Sequence, residues 1–298
     1  MTRKRTTRPH QPRPDAERRE FSDRPPAQGA KAERAPARAP RDAPKPPNDA
    51  ALAPRREPRG ADVMQIYGFH SVSAALGARR RKLVRLYATQ GAAARLASVI
   101  TACGVEVEIS SNEDISSRAP RDAVHQGLLL ETRPLAPIDI SELPAKGIVL
   151  VLDQITDPHN VGAILRTAAA FAVEGLVTTE RHSPEFSGAL AKSASGGLEH
   201  VPICSVVNLA RAMGELKEMG YLCVGLDSDA PQSIGEAPLT SPLALVLGAE
   251  GKGMRRLTRE NCDFSVRLDL PGAINSLNVS NACAIALALA HARLNPHK

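Results

Sequence analysis

Hydrophobic and polar positions divide the chain into an unpatterned start and a patterned remainder. Over residues 1–62 the apolar residues are mostly Ala and recur with no period, and the stretch holds 12 of the 24 prolines. A segment of this kind cannot bury enough apolar surface to offset the entropy of ordering it, which predicts a disordered tail over 1–62. Beyond it, residues 66–78 predict a short approach followed by a helix, 82–89 a strand at their centre, 91–101 a helix and 104–109 an alternating strand. Together they predict a small α/β domain over 63–134. The three prolines within 133–147 mark a linker around a short helical turn, placed at 135–147.

From 148 onward the pattern alternates between apolar strands and amphipathic helices. Strands are predicted over 148–153, 175–180, near 200–206, and over 221–228, 243–248 and 264–268. Helices are predicted over 160–172, 186–195, 208–219, 253–261 and 278–294, the last capped by Asn278 or Ser280. Ile148–Asp153 is apolar almost throughout, as befits the interior of a parallel sheet. The alternation predicts an α/β domain over 148–298, with helices on both faces of a parallel sheet.

Charge sharpens this division. Residues 1–60 hold 16 Lys and Arg against 8 Asp and Glu, whereas the rest holds 22 against 24. The excess positive charge therefore belongs to the tail, which reads either as an electrostatic arm for RNA or as a solubilising extension. With aromatics at 3% and no Trp, a ladder of stacked bases is a poor fit. Five cysteines without a CxxC pair predict reduced, buried thiols in a cytoplasmic protein and no metal site. The longest apolar runs, 148–152 and 282–290, are too short to span a membrane.

Three loops collect the residues suited to chemistry, at strand ends where open α/β sheets bind ligands. In 153–168, Asn160 reads as a helix cap or a substrate ligand, and Arg166 as a solvated charge or a clamp for phosphate. In 247–254, Leu247, Gly248 and Gly251 allow the backbone to approach a ligand, and Glu250 and Lys252 are either functional or solvated. In 271–282, Ser276, Asn278 and Ser280 read as local hydrogen-bonding groups or as a substrate surface. Neither GxxxxGK[ST] nor GxGxxG nor GxSxG occurs at these loops, which argues against nucleotide-dependent metabolic enzymes and hydrolases. His125 reads as a structural or surface group, His159 as a substrate contact or as turn packing, Lys192 as a surface charge, and the small-residue stretch 191–202 as a tight junction or a contact surface.

In order and spacing, DPHNVGAILRTA (157–168), LVLGAEGKGM with the following CD (245–263) and SLNVSNACAIAL (276–287) resemble the SpoU, or TrmH-like, branch of the SPOUT methyltransferases. AKSASGG (191–197) fits the small-residue segment between the first two blocks. YGFHSVSAAL (67–76) and HQG (125–127) resemble the L30e-like RNA-binding domain of bacterial 23S ribosomal RNA guanosine 2′-O-methyltransferases. The resemblance implies a catalytic domain with a deep trefoil knot, which topology rules alone would not suggest. It implies a homodimer using S-adenosyl-L-methionine and no metal, acting on 23S ribosomal RNA or a large-subunit assembly intermediate. It assigns Asn160, Arg166, Glu250, Ser276 and Asn278 to catalysis and substrate binding. It places the cofactor against Leu247, Gly248, Gly251, Leu268, Leu270, Ser276, Leu277 and Asn278.

Two departures stand out. Where the family reads Ile-Pro-Met-x-Gly, residues 268–272 are Leu-Asp-Leu-Pro-Gly, so that Asp269 introduces a carboxylate expected beside the cofactor; SGG (195–197) replaces the usual SGA. A guanidinium is a poor base, with a pKa above about 12, so Arg166 is expected to engage the phosphate or ribose hydroxyl of the target. A transfer-RNA substrate and a non-catalytic role in RNA binding or ribosome assembly remain as rival readings.

Overall fold

The computed structural model describes residues 63–295, and the tail predicted over 1–62 lies outside them. Two sheets organise the described chain. The first has strands β1 (Met64–Tyr67), β2 (Leu83–Ala88), β3 (Val107–Ile109) and β4 (Leu128–Thr132) in the order β1-β4-β2-β3. Around it stand helices α1 (Phe69–Ala78), α2 (Gln90–Arg95), α3 (Ala97–Cys103) and α4 (Asn112–Arg118). The approach predicted before α1 is itself a strand, antiparallel to β4. The helix predicted over 91–101 is two helices, because Leu96 leaves helical geometry at φ −110° and ψ 9°.

The second sheet carries β5 (Ile148–Leu152), β6 (Gly175–Thr179), β7 (Ile203–Val206), β8 (Leu222–Leu226), β9 (Gln232–Ser233), β10 (Leu243–Leu247) and β11 (Phe264–Arg267). Its order is β7-β6-β5-β10-β8-β11-β9, and every pairing is parallel. Alternate side chains of β5 serve opposite faces. Leu150 and Leu152 join a core with α5 (Pro158–Ala170) and α9 (Val279–Leu294), whereas Val149 and Val151 join one with α7 (Leu209–Glu218). In α7, Leu209, Ala212, Met213 and Leu216 recur at helical spacing on the buried face. Residues 135–147 are packed too: Ile140 and Leu143 are buried in the core with α7. Among the described residues no helix is long and apolar enough to cross a membrane.

A short helix, α6 (Gly188–Ala194), lies between the small sheet and α5, and its small residues explain how. A Cβ on Gly188 would meet Gln65 O at 2.3 Å, and one on Gly196, just past the helix, would meet Ala74 Cβ at 2.7 Å. On the other side, a Cβ on Gly162 of α5 would meet Ser193 Cβ at 2.5 Å. Ser71 Oγ donates to Ala191 O (2.9 Å), and Ser193 Oγ to His159 O (3.0 Å). The stretch 191–197 is thus a packing junction. Lys192 is not a free surface charge: it donates to Gln126 Oε1 at 3.0 Å, and burial lowers its pKa. The same oxygen accepts from Phe69 N at 2.9 Å.

Below this junction, Arg81 and Glu199 form an ion pair at 2.8 Å with side chains only 1% and 2% exposed. Of the five cysteines, Cys204, Cys223 and Cys283 are buried as expected, but Cys103 and Cys262 are only partly so. Burial pushes the Cys223 thiol up to about 11 and those of Cys204, Cys262 and Cys283 up to about 12.

Candidate active site

The parallel sheet changes direction at β5, from which the chain runs outward through β6 and β7 on one side while β10 and β8 flank it on the other. Ligands in such sheets bind beyond the carboxyl ends of the strands near this point. A cleft of about 610 Å³ lies there, past Leu226 of β8 and Leu247 of β10. That size suits a small organic ligand. Leu247, Gly248 and Gly251 line it, as do Leu268, Leu270, Ser276, Leu277 and Asn278, so all eight positions expected to hold a cofactor face one cavity.

Residues 248–254 form a tight loop rather than a flexible turn. Ala249 and Gly253 exchange backbone hydrogen bonds of 3.1 and 2.8 Å, and Gly251 and Gly253 adopt φ of +72° and +65°. Gly248 is crossed by the returning strand, since a Cβ there would lie 2.1 Å from Gly253 C and 2.2 Å from Met254 N. The end of the loop is fixed by Asp153, whose fully buried carboxylate accepts from Arg255 N (2.8 Å) and Arg255 Nε (2.7 Å). Lys252 is exposed near the tip.

Glu250 projects from this loop into a triangle of side chains. Asn278 Nδ2 donates to Glu250 Oε1 (2.6 Å) and to Asn160 Oδ1 (2.9 Å), and Asn160 Nδ2 donates to Glu250 Oε1 (3.2 Å). Val279 N adds a further donor to Glu250 Oε1 at 3.1 Å. Asn278 also caps α9, accepting from Ser280 N at 2.9 Å and Ser280 Oγ at 2.6 Å, so it serves as cap and site residue at once. Asn160 does not cap α5: Asp157 does, accepting from His159 N at 2.9 Å, with Pro158 opening the helix.

The remaining candidates stand outside the triangle. Arg166 is exposed on α5, outside the cleft lining and outside the triangle. Ser276 lines the cleft within an exposed segment. His125 braces its own loop, accepting from Gly127 N (3.1 Å) and sharing a hydrogen bond with Ser116 Oγ (3.0 Å). Asp269 sits between two cleft-lining leucines, but its carboxylate meets Ser233 Oγ and Arg267 Nη2 instead of the cavity. The structure adds residues that motif reading passed over: Asp227 and Ser228 in the cleft wall, and Asp153 beneath the loop. Asp153 opens the first polar loop directly after an apolar strand, a signal available in the sequence. Among the described residues, no cluster of three or more His, Cys, Asp or Glu is placed to hold a metal ion.

A glycine crossed by backbone, mixed apolar and polar walls and a polar triangle together make a built ligand cleft. Comparisons with known proteins point the same way. The model of the SpoU rRNA Methylase family matches residues 147–288, and that described as RNA 2′-O ribose methyltransferase substrate binding matches 65–138. The chain is 38% identical over 232 residues to 23S rRNA (guanosine-2′-O-)-methyltransferase RlmB of Vibrio parahaemolyticus, covering 74% of this chain and 94% of that one. The protein of the same name from Pectobacterium atrosepticum is 37% identical, covering 74% and 95%. A solved protein of the TrmH family from Porphyromonas gingivalis superposes with a TM-score of 0.67 at 26% identity, covering 78% of this chain and 90% of that one.

Proposed function

The chain belongs to the SpoU rRNA methylase family, and on that premise we propose that it methylates the ribose 2′-hydroxyl of a guanosine in 23S ribosomal RNA, using S-adenosylmethionine. The observation that carries the reading is the Asn160–Glu250–Asn278 triangle beside the cleft, which ties together chain segments 90 and 118 residues apart.

S-adenosylmethionine supplies a methyl group already activated by its sulfonium charge. Leu247–Gly251, Leu268, Leu270 and Ser276–Asn278 hold it in the cleft. Asn160, Glu250 and Asn278 orient the ribose beside it, and fixed orientation of the two reactants lowers the barrier of such a transfer. Glu250 Oε1 already accepts three hydrogen bonds, so this oxygen is a fixed reference for the network rather than the acceptor of the hydroxyl proton. Arg166, exposed on α5, engages the phosphate of the target nucleotide with its planar donor fork. Residues 63–134 bind RNA and residues 148–298 carry the transfer, with 135–147 between them.

A homodimer belongs to the same reading. Its support is α9, where Ile285 and Leu289, one turn apart, are 40% and 37% exposed on a largely apolar helix. A knotted C-terminal path belongs to the same reading through family membership. The proposed substrate makes the cytoplasm the site of action.

Methyl transfer from radiolabelled S-adenosylmethionine to ribosomal and transfer RNA lacking the modification tests the proposal, followed by mapping of the product. Label at a single guanosine of the large-subunit RNA is the expected result. Label confined to transfer RNA would overturn the substrate but not the chemistry, and no label on RNA or on native pre-ribosomal particles would overturn both.

A further inference from the structure

We infer that Asp269 is a positioning residue whose carboxylate braces two walls of the cofactor cleft against each other. The inference rests on the reading of that cleft as the S-adenosylmethionine site. Leu268 and Leu270 line the cleft, and Asp269 between them faces the opposite way, as alternate residues of an extended segment do. Its Oδ2 accepts from Ser233 Oγ at 2.5 Å, and its Oδ1 pairs with Arg267 Nη2 at 3.2 Å.

Both partners lead to the other wall. Ser233 is 6% exposed on β9 and also accepts from Gly235 N at 3.2 Å. Arg267 Nη1 donates to Ala230 O at 3.1 Å and to Pro231 O. Ala230 and Pro231 belong to the loop that begins with the cleft residues Asp227 and Ser228. Backbone bonds tie the two ends of this loop to β11, from Asp227 N to Val266 O (2.9 Å) and from Ile234 N to Arg267 O (3.0 Å), while β9 itself is a two-residue edge strand meeting β11 at Val266–Gln232 and Arg267–Ser233. So short an edge gives little independent stability. Between those two backbone ties the side-chain network supplies the remaining contacts from 267–269 to residues 230–233, and so trims the width of the cleft. Asp269 has a side chain 61% exposed, so solvent screening limits the effect to a modest one.

The test is calorimetric titration of the full chain with S-adenosylhomocysteine, comparing wild type with Asp269→Ala, Ser233→Ala, the double variant and Asp269→Asn. Each alanine variant is expected to raise Kd roughly threefold to tenfold, the range one hydrogen bond with a screened ion pair supplies. The double variant is expected to be no weaker than the weaker single one, since both remove the same contact. Asp269→Asn, which still accepts from Ser233, recovers most of the affinity, and kcat at saturating cofactor stays near wild type in all four. Unchanged Kd in both single variants, additive losses in the double, or an Asn variant as weak as the Ala one would each overturn the brace. A purely structural role would instead lower kcat and the thermal midpoint together, and that result also counts against it. A wild-type chain that fails to bind S-adenosylhomocysteine would remove the cofactor reading itself, an outcome distinct from all of these.

Discussion

Asn278 follows Asn160 by 118 residues, yet its amide nitrogen lies 2.9 Å from the Asn160 carbonyl oxygen. The same residue accepts from Ser280 N at the start of α9, so removal and replacement of its amide separate two duties. Asn278→Ala loses both the cap, worth about 1 kcal/mol, and the triangle. Asn278→Asp keeps the cap and sets a second carboxylate against Glu250. The expected outcome is a lowered thermal midpoint in both, from the lost cap in Ala and from carboxylate repulsion in Asp that eases as pH falls, with turnover falling at least about tenfold in both, the change that 1.4 kcal/mol in the barrier produces. An Asp variant with wild-type turnover would remove Asn278 from the site.

The Arg166 side chain is exposed and makes no hydrogen bond or ion pair with any described residue. Arg166→Ala should therefore leave stability within about 0.5 kcal/mol of wild type. Cofactor affinity should hold while methyl transfer is lost, and Arg166→Lys should not restore it, because an ammonium lacks the bidentate fork. Single-turnover rates beside cofactor titrations check this. Undiminished turnover in the Ala variant would sink the assignment.

Gly248 has no room for a side chain, since its Cβ would fall 2.1 Å from Gly253 C, whereas Gly251 has open space around it. Gly248→Ala should force the 248–254 loop apart at a cost of about 1–3 kcal/mol and abolish measurable cofactor binding. Gly251→Ala strains only a residue with φ +72° and should retain weakened binding. Equal affinities in the two variants would mean that the crossing at Gly248 does not shape the cleft.

The Arg81–Glu199 pair is buried, at 1% and 2% side-chain exposure. Glu199→Ala leaves a guanidinium uncompensated and should cost about 3–5 kcal/mol, whereas Arg81→Met with Glu199→Leu should be far closer to neutral. Denaturant midpoints of the two variants decide it; a double replacement as damaging as the single one would show that the charges themselves are needed.

Alkaline pH should weaken the fold through its thiols. Cys204, Cys223, Cys262 and Cys283 are raised from 9.0 to about 12, 11, 12 and 12, chiefly by burial. A folded-state pKa above the unfolded one contributes stability that is complete below pH 9 and lost as pH rises toward 11–12. Thermal midpoints measured from pH 8 upward should fall across that window, and replacing Cys283 by Ala should flatten the fall. An unchanged slope in that variant would place the alkaline loss elsewhere.

Strands β5, β6, β8 and β10 were legible because each holds a compact apolar run, β11 because Phe264, Val266 and Leu268 alternate with polar residues, α5 and α7 because their apolar spacing is helical, and α9 because it is a long run rich in Ala and Leu. The pattern did not yield β4, where only Leu128–Leu130 precede Glu131 and Thr132, too short a run to separate from a loop. Nor did it yield α4, whose sequence NEDISSR buries Ile115 alone; its one sequence signal was the Ser111–Asp114 capping box. For the site, residue chemistry singled out the three loops but left Asn160 and Asn278 equally readable as caps. Only the chain's path brings Glu250 to both, and that adjacency depends on the order of β5 and β10, which no local pattern records. The direction of the Asp269 side chain was equally hidden, since it is known only from its contact with Ser233 on an edge strand of two residues.

The seating of α6 between the small sheet and α5 bears on how such a protein can be rebuilt. Gly188 and Gly196 fit against Gln65 and Ala74 on one side, while Gly162 fits against Ser193 on the other. A recognition module borrowed from another enzyme would meet a surface cut for this one. Exchange of residues 64–132 alone should produce ill-fitting chimeras; the portable unit includes residues 188–197 as well, and with them the face of α5 from which Asn160 is displayed.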